Sequence, residues 1–157
     1  MKSFPCTALA LVGLLSQAHA AEPKFHWSVH ENTEQTWGLS YAEPNSDVGL
    51  LWIWCKPATS EITIAPALLT SGIKEGEKGA IILSTSTKKL RIEGEASFSE
   101  ATEAIEVSAS LPHPQELAAI FEKPGSLKIT VPGNQTMLPL NAEAQRAFAE
   151  FRRRCLF

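Results

Sequence analysis

The chain has 157 residues, 44% of them hydrophobic and 20% charged, and a formal net charge of −3. This composition is typical of a globular domain and does not fit a fibrous or low-complexity chain. The mild acidity argues against nucleic acid or an anionic membrane surface as the partner, because both attract basic patches.

The first 20 residues have the features of a secretory signal peptide. Lys2 supplies a positive start, residues 8–15 form a short apolar core, and residues 18–20, Ala-His-Ala, match a cleavage site. Cys6 precedes the apolar core, whereas a lipid-modified cysteine would follow it. We therefore predict that residues 1–20 are removed and that the mature chain is periplasmic or secreted.

Residues 21–157 are expected to form one β-rich domain, because they suffice for a single core and contain no repeat or linker. No apolar run among them is long enough for a transmembrane helix. Short alternating segments bounded by turn residues predict antiparallel strands. In chain order these segments are residues 24–30, 37–41, 49–55, 61–65, 80–85, 90–94, 105–109 and 127–131, after which a turn leads into 137–140.

Residues 49–55 are apolar at every position after the glycine. A strand that is apolar on both faces is usually central and covered on both sides. One face would hold Leu51, Ile53 and Cys55, and the other Leu50, Trp52 and Trp54. We expect the first set to lie under the C-terminal helix and the second to face an opposite layer.

Two helices are predicted. Residues 114–122 begin with a proline, which suits the first helical position because no intrahelical hydrogen bond is lost there. Asn141 is a suitable N-cap for a closing helix. The apolar face of that helix would consist of Ala144, Phe148, Phe151 and Cys155. The predicted fold is a mainly β, sandwich-like antiparallel domain with a short helix and a C-terminal helix packed on the sheet.

Arg152, Arg153 and Arg154 lie in the last turn of the closing helix, where cations complement the helix dipole. Adjacent helical residues point in different directions. We therefore interpret the three arginines as a solvated helix end, with an anion site as the alternative.

The mature chain keeps two cysteines, Cys55 and Cys155. Export places them in an oxidising compartment, where an even cysteine count favours a disulfide. We predict a bond between them; two free buried thiols are the alternative.

His26 and His30 are candidates for chemistry, because they share one face of a predicted strand. Four strand residues separate them by about 13 Å, too far for both to bind one zinc ion at about 2 Å. We expect solvated histidines and assign no catalytic residue, no metal and no cofactor. Two alternatives stay open: a small envelope hydrolase in which His26, His30 or His113 works beside a glutamate, and a metal-binding protein with a ligand from another strand.

The four tryptophans all lie in the first 54 residues and form the candidate interaction surface. Neighbouring strands would bring several of them together, and exposed aromatic side chains often anchor ligands or partners. Core packing is the alternative. The four are Trp27, Trp37, Trp52 and Trp54.

Three short patterns carry a resemblance: an early Trp27-Ser28-Val29 strand, the alternating strand Leu51-x-Ile53-x-Cys55, and a closing Leu138-Pro139-Leu140 followed by the helix Phe148-x-x-Phe151-x-x-x-Cys155. In this arrangement the chain resembles small exported proteins of Gram-negative bacteria, and it is similar to the TagO-like proteins associated with type VI secretion. The resemblance implies an exported β-rich domain with a strand-to-helix disulfide. It transfers no catalytic residue and no role in secretion.

Export, a crosslinked fold and clustered tryptophans together favour a non-enzymatic binding or interaction module of the bacterial envelope. The expected partner is an envelope protein or a small ligand, and not nucleic acid.

Overall fold

The computed structural model describes residues 24–32, 35–59, 61–100 and 102–157, so the predicted signal peptide lies outside the described residues. The described chain is mainly β, with two helices. The strands are β1 (His26–Glu31), β2 (Trp37–Ala42), β3 (Gly49–Lys56), β4 (Glu61–Pro66), β5 (Lys78–Ser84), β6 (Lys89–Ser99), β7 (Ala104–Leu111), β8 (Gly125–Val131) and β9 (Asn134–Leu140). The helices are α1 (Pro114–Phe121) and α2 (Ala142–Cys155).

All nine strands belong to one antiparallel sheet in the order β1-β2-β3-β4-β7-β6-β5-β8-β9. The sheet curls into a half-barrel, so the predicted sandwich is not confirmed. The reason lies in β7. Its residues 109–111 pair with β4 while its residues 104–108 pair with β6. One strand therefore joins two groups of strands that would otherwise be separate sheets.

The concave face of the half-barrel holds the hydrophobic core. The strand register places Leu39, Ile53 and Ile64 side by side on three neighbouring strands, and all three are fully buried. Burying one such side chain contributes roughly 1.5–3 kcal/mol. The buried residues of both helices join the same cluster, so the helices close the concave side.

Helix α2 packs mainly against β1 and β2. Its N-cap is the predicted one, since the Asn141 side chain accepts a hydrogen bond from the backbone N–H of Ala144 at 3.0 Å. Its predicted apolar face is buried, and Phe148 stacks on Phe121 of α1 with ring centres 4.3 Å apart. The disulfide between Cys55 and Cys155 is confirmed, with the two Cα atoms 6.0 Å apart.

Strand β3 lies inside the sheet, but only one of its faces is covered. Leu51, Ile53 and Cys55 are buried on the concave side. Their expected position under α2 is confirmed at Cys55, which is bonded to Cys155, whereas the main packing of α2 is on β1 and β2. The expectation of an opposite layer over Leu50, Trp52 and Trp54 is wrong. These three are only partly buried, and within the described residues no second sheet or helix lies over the convex side of β3.

Candidate functional site

Trp52 and Trp54 point from β3 toward the convex face of the half-barrel and are half-buried. Their ring planes are parallel to within 4°, and the ring centres are 6.1 Å apart. Side chains two residues apart on a strand share a face, which explains why the two indoles are neighbours. The convex surface therefore carries two parallel aromatic rings that remain accessible to solvent.

Two glycines make room for the rings on this surface. A Cβ atom on Gly49 would come within 2.9–3.0 Å of Cζ2 and Cε2 of Trp52, so the indole lies directly over the glycine. A Cβ atom on Gly38 would collide with the imidazole of His30. Real side chains do not tolerate such short contacts, so a larger residue at either position would displace the ring above it.

His30 completes the aromatic group. Its imidazole meets Trp52 nearly at right angles, at 83°, with ring centres 6.0 Å apart. Partial burial penalises the charged imidazolium and holds the pKa of His30 below its ordinary value of 6.5. The side chain is therefore neutral at neutral pH.

A pH titration tests this environment. We expect the His30 pKa to lie below 6.5 in the folded protein. The unfolded chain then takes up the proton first on acidification, so the contribution of His30 to stability is complete above about pH 6.5 and is lost as pH falls through its folded pKa. NMR titration of the His30 Cε1–H resonance measures this, with His30→Gln as the assignment control. A folded-state pKa at or above 6.5 would contradict it.

A cleft of about 550 Å³ opens beside Trp52. Its floor includes Ser28 and Ser40, whose hydroxyl oxygens lie 3.1 Å apart in a hydrogen bond. The loop between β2 and β3, residues 43–48, forms its rim with Glu43, Asn45 and Asp47. The cleft thus combines one aromatic side chain with hydroxyl, carboxamide and carboxylate groups, and its volume lies in the range of small-molecule sites.

The other two tryptophans lie elsewhere. Trp27 is 4% exposed and belongs to the core, where its indole N–H donates a hydrogen bond of 2.7 Å to the Pro139 carbonyl. It therefore does not form part of an interaction surface. Trp37 lies at the edge of the core beneath the Arg154 guanidinium, which is 4.3 Å from the ring centre. Of the four candidate tryptophans, the structure groups Trp52 with Trp54 on one open face.

The arginines at the end of α2 already have partners within the chain. Arg153 and Arg154 both donate hydrogen bonds to the Glu150 carboxylate, and these bonds lower the Glu150 pKa. Arg152 donates to the Phe157 carbonyl at 3.1 Å. These contacts favour the interpretation of a helix end over that of an anion site.

The histidine alternatives find little support. His26 lies 3.4 Å from a Glu143 carboxylate oxygen, and the Tyr41 pKa is raised first by burial and then by the Glu143 charge. Among the described residues, however, no hydroxyl is found hydrogen-bonded to a histidine, as nucleophile activation requires. His113 is exposed beside α1 and caps nothing with its side chain. The described residues therefore show a His26–Glu143 pair without a hydroxyl group hydrogen-bonded to the imidazole.

No group of three or more His, Cys, Asp or Glu side chains in the described residues could hold a metal ion. No helix among those residues is long and apolar enough to cross a bilayer.

Comparison of the chain with known protein families, with characterised proteins and with solved structures finds no match.

Sequence reasoning selected the tryptophans of this site but missed their surroundings. Gly38 and Gly49 were not singled out, although a glycine inside a strand often marks a close approach by another group. The pairing of Ser28 with Ser40 follows from the β1–β2 register, since the two residues are directly opposite. The glycines within the strands and the pairing of the two serines together point to this part of the sheet.

Proposed function

We propose that the chain is an exported, non-enzymatic binding module of the bacterial envelope, and that its ligand or partner occupies the convex face at Trp52 and Trp54. One observation carries the proposal: two parallel, half-exposed indoles stand beside a cleft lined with polar groups. Burying such rings against a ligand releases a large apolar area from water, which makes tryptophan a frequent anchor of binding sites.

The disulfide, the sheet that carries the indoles and the predicted signal peptide also support a binding role in the envelope. The disulfide fits an oxidising compartment. The rigid sheet holds the two indoles in a fixed arrangement before a ligand arrives, which lowers the entropy cost of binding. The signal peptide and the resemblance to exported Gram-negative proteins stay predictions, and they place the ligand in the cell envelope.

Co-sedimentation with envelope material from a Gram-negative bacterium tests the proposal. We expect the wild-type chain to be retained and Trp52→Leu or Trp54→Leu to reduce retention by about tenfold, as for loss of an anchor residue. Leucine keeps an apolar side chain but removes the flat ring.

Met137→Ala is the matched control. Met137 is 64% exposed on β9 and does not belong to the residues that line the cleft, so its truncation removes apolar surface outside the proposed site. Retention should be unchanged in this variant. Equal retention of the wild type and both tryptophan variants would refute the proposed site, and absence of any retention would refute the binding role.

A further inference from the structure

We infer that the cleft beside Trp52 binds an uncharged saccharide chain, with one sugar ring stacked on an indole of the pair. This inference rests on the proposed function and names its ligand class. It follows from the charges that line the cleft, from the mixture of polar and apolar side chains in its lining, and from the parallel arrangement of the two indoles.

The charges exclude an anionic ligand. Of the described residues that line the cleft, none is lysine or arginine, and His30 is neutral at neutral pH. Asp47 and Glu43 contribute carboxylates, although Glu43 is also ion-paired with Lys24. A phosphate or an acidic sugar would bring like charge to these carboxylates, and the nearby Lys24 ammonium is already paired with Glu43, so the approach of an anion is unfavourable.

A purely apolar ligand does not fit either. The floor of the cleft contains the Ser28 and Ser40 hydroxyls, and the rim contains the Asn45 carboxamide. A hydrocarbon would cover these polar groups without replacing their hydrogen bonds to water, and each such loss weakens binding. The ligand must therefore carry its own hydroxyl or amide groups around its edge.

A quaternary ammonium ion is a poorer match for the aromatic geometry. Recognition of such cations uses several aromatic faces that surround the charge. Here the His30 ring meets Trp52 at 83°, while Trp52 and Trp54 are parallel to each other. These rings do not form three walls of a cage.

A sugar ring satisfies all of these conditions. Its axial C–H bonds form a weakly positive apolar face, which is attracted to the negative face of an indole. Its hydroxyl groups lie around the edge of the ring, where they both donate and accept hydrogen bonds. In the cleft these groups would meet Asp47, Asn45 and the two serines while the apolar face covers Trp52.

The second indole favours a chain over a single sugar. The Trp54 ring is parallel to that of Trp52, with ring centres 6.1 Å apart, so a second aromatic side chain lies next to the first on the same face. Beyond Trp54 the convex face continues across Thr63 and Ser110, which are register partners. A linked saccharide can therefore follow this polar surface outward from the cleft.

Isothermal titration calorimetry with defined oligosaccharides tests the inference. The probes are chitotetraose and cellotetraose as neutral chains, tetragalacturonate as an anionic chain, and choline as a cation. We expect binding of at least one neutral chain and no binding of the anionic chain or of choline. Trp52→Leu should weaken the neutral interaction by about tenfold or more, whereas Met137→Ala should leave it unchanged.

A second variant tests the cleft by a substitution that is not expected to disturb the fold. Asp47 lies in an exposed loop, so Asp47→Asn preserves its shape and removes only the charge. It should weaken the neutral chain severalfold and should not create affinity for choline. Thermal unfolding of each variant confirms that it is folded before titration.

The possible results distinguish failure of the saccharide assignment from failure of the proposed binding role. Binding of neither neutral chain, binding of choline or tetragalacturonate instead, or neutral binding that Trp52→Leu leaves unchanged would overturn the saccharide assignment. If envelope material is still retained through Trp52 in any of these cases, the binding role stands with another ligand. If that retention is also absent, both fail.

Discussion

Loss of the Cys55–Cys155 disulfide is expected to lower the free energy of unfolding by up to about 4.7 kcal/mol, the chain-entropy value for a loop of about 100 residues. The two cysteines are 100 positions apart. The open chain gains conformations mainly in its unfolded state, so the loss appears as easier unfolding more than as a changed native fold. Because domains of this size are stable by only about 5–15 kcal/mol, the effect is a large share of the total.

Urea unfolding of three samples measures the effect: the oxidised chain, the same chain under reductant, and a Cys55→Ala/Cys155→Ala variant. The reduced chain keeps both sulfur atoms in the core, so it isolates the crosslink. The double variant also leaves small cavities, because both residues are 1% exposed, and should be less stable still. Alkylation without reduction should leave both cysteines unmodified. Equal stability of the oxidised and reduced chains would show that the bond contributes nothing.

Trp27→Ala is expected to destabilise the fold by about 3–5 kcal/mol, the range for truncating a large buried aromatic residue. The indole packs against Tyr41 and meets Phe121 edge to face at 5.4 Å. It also donates the hydrogen bond to the Pro139 carbonyl in β9. The substitution therefore removes both a core side chain and a link between the first and last strands.

Two variants divide this loss into its parts. Trp27→Phe keeps most of the apolar area but leaves the Pro139 carbonyl without its donor, so a smaller loss of about 1–3 kcal/mol is expected. Trp54→Ala removes the same side chain from the half-exposed convex face and should have a smaller effect than Trp27→Ala. Chemical denaturation of the three variants gives the comparison. Similar losses for Trp27→Ala and Trp54→Ala would contradict the core position of Trp27.

Local patterns predicted the elements well. The nine strand segments and both helices occur near their predicted positions, because alternation, turn residues and caps depend on near neighbours in the chain. The largest boundary difference is β6, predicted as 90–94 and observed as Lys89–Ser99. The inward positions that follow Leu90 and Ile92 are Gly94 and Ala96, whose small side chains weaken the apolar signal without ending the strand.

The architecture was harder to predict, because it depends on which distant strands pair. The division of β7 between β4 and β6 has no local signature, and this division makes one curled sheet instead of two facing sheets. The apolar pattern of β3 was equally ambiguous. Buried leucines and half-exposed tryptophans give the same alternating signal, so the pattern alone cannot distinguish a covered face from an open one.

The disulfide could be predicted from the sequence, whereas the cleft could not. Once Cys6 is assigned to the predicted signal peptide, the two remaining cysteines leave one possible intramolecular pairing, so the cysteine count and the predicted compartment were sufficient. The cleft depends on Gly38, Gly49 and the contact of His30 with Trp52, which arise only when three strands are in register. The His26–Glu143 contact joins residues 117 positions apart and was likewise beyond local reasoning.

The link between β1 and β9 also bears on how separate copies of the chain behave. These two strands are the edges of the sheet, and the unpaired backbone groups of an edge strand can form hydrogen bonds with a strand of another chain. Helix α2 packs against both strands, and Pro139 removes a backbone donor from β9. The Trp27 hydrogen bond occupies the Pro139 carbonyl as well. The contacts that complete the core thus also make the edge strands less available for pairing with another chain, which opposes aggregation.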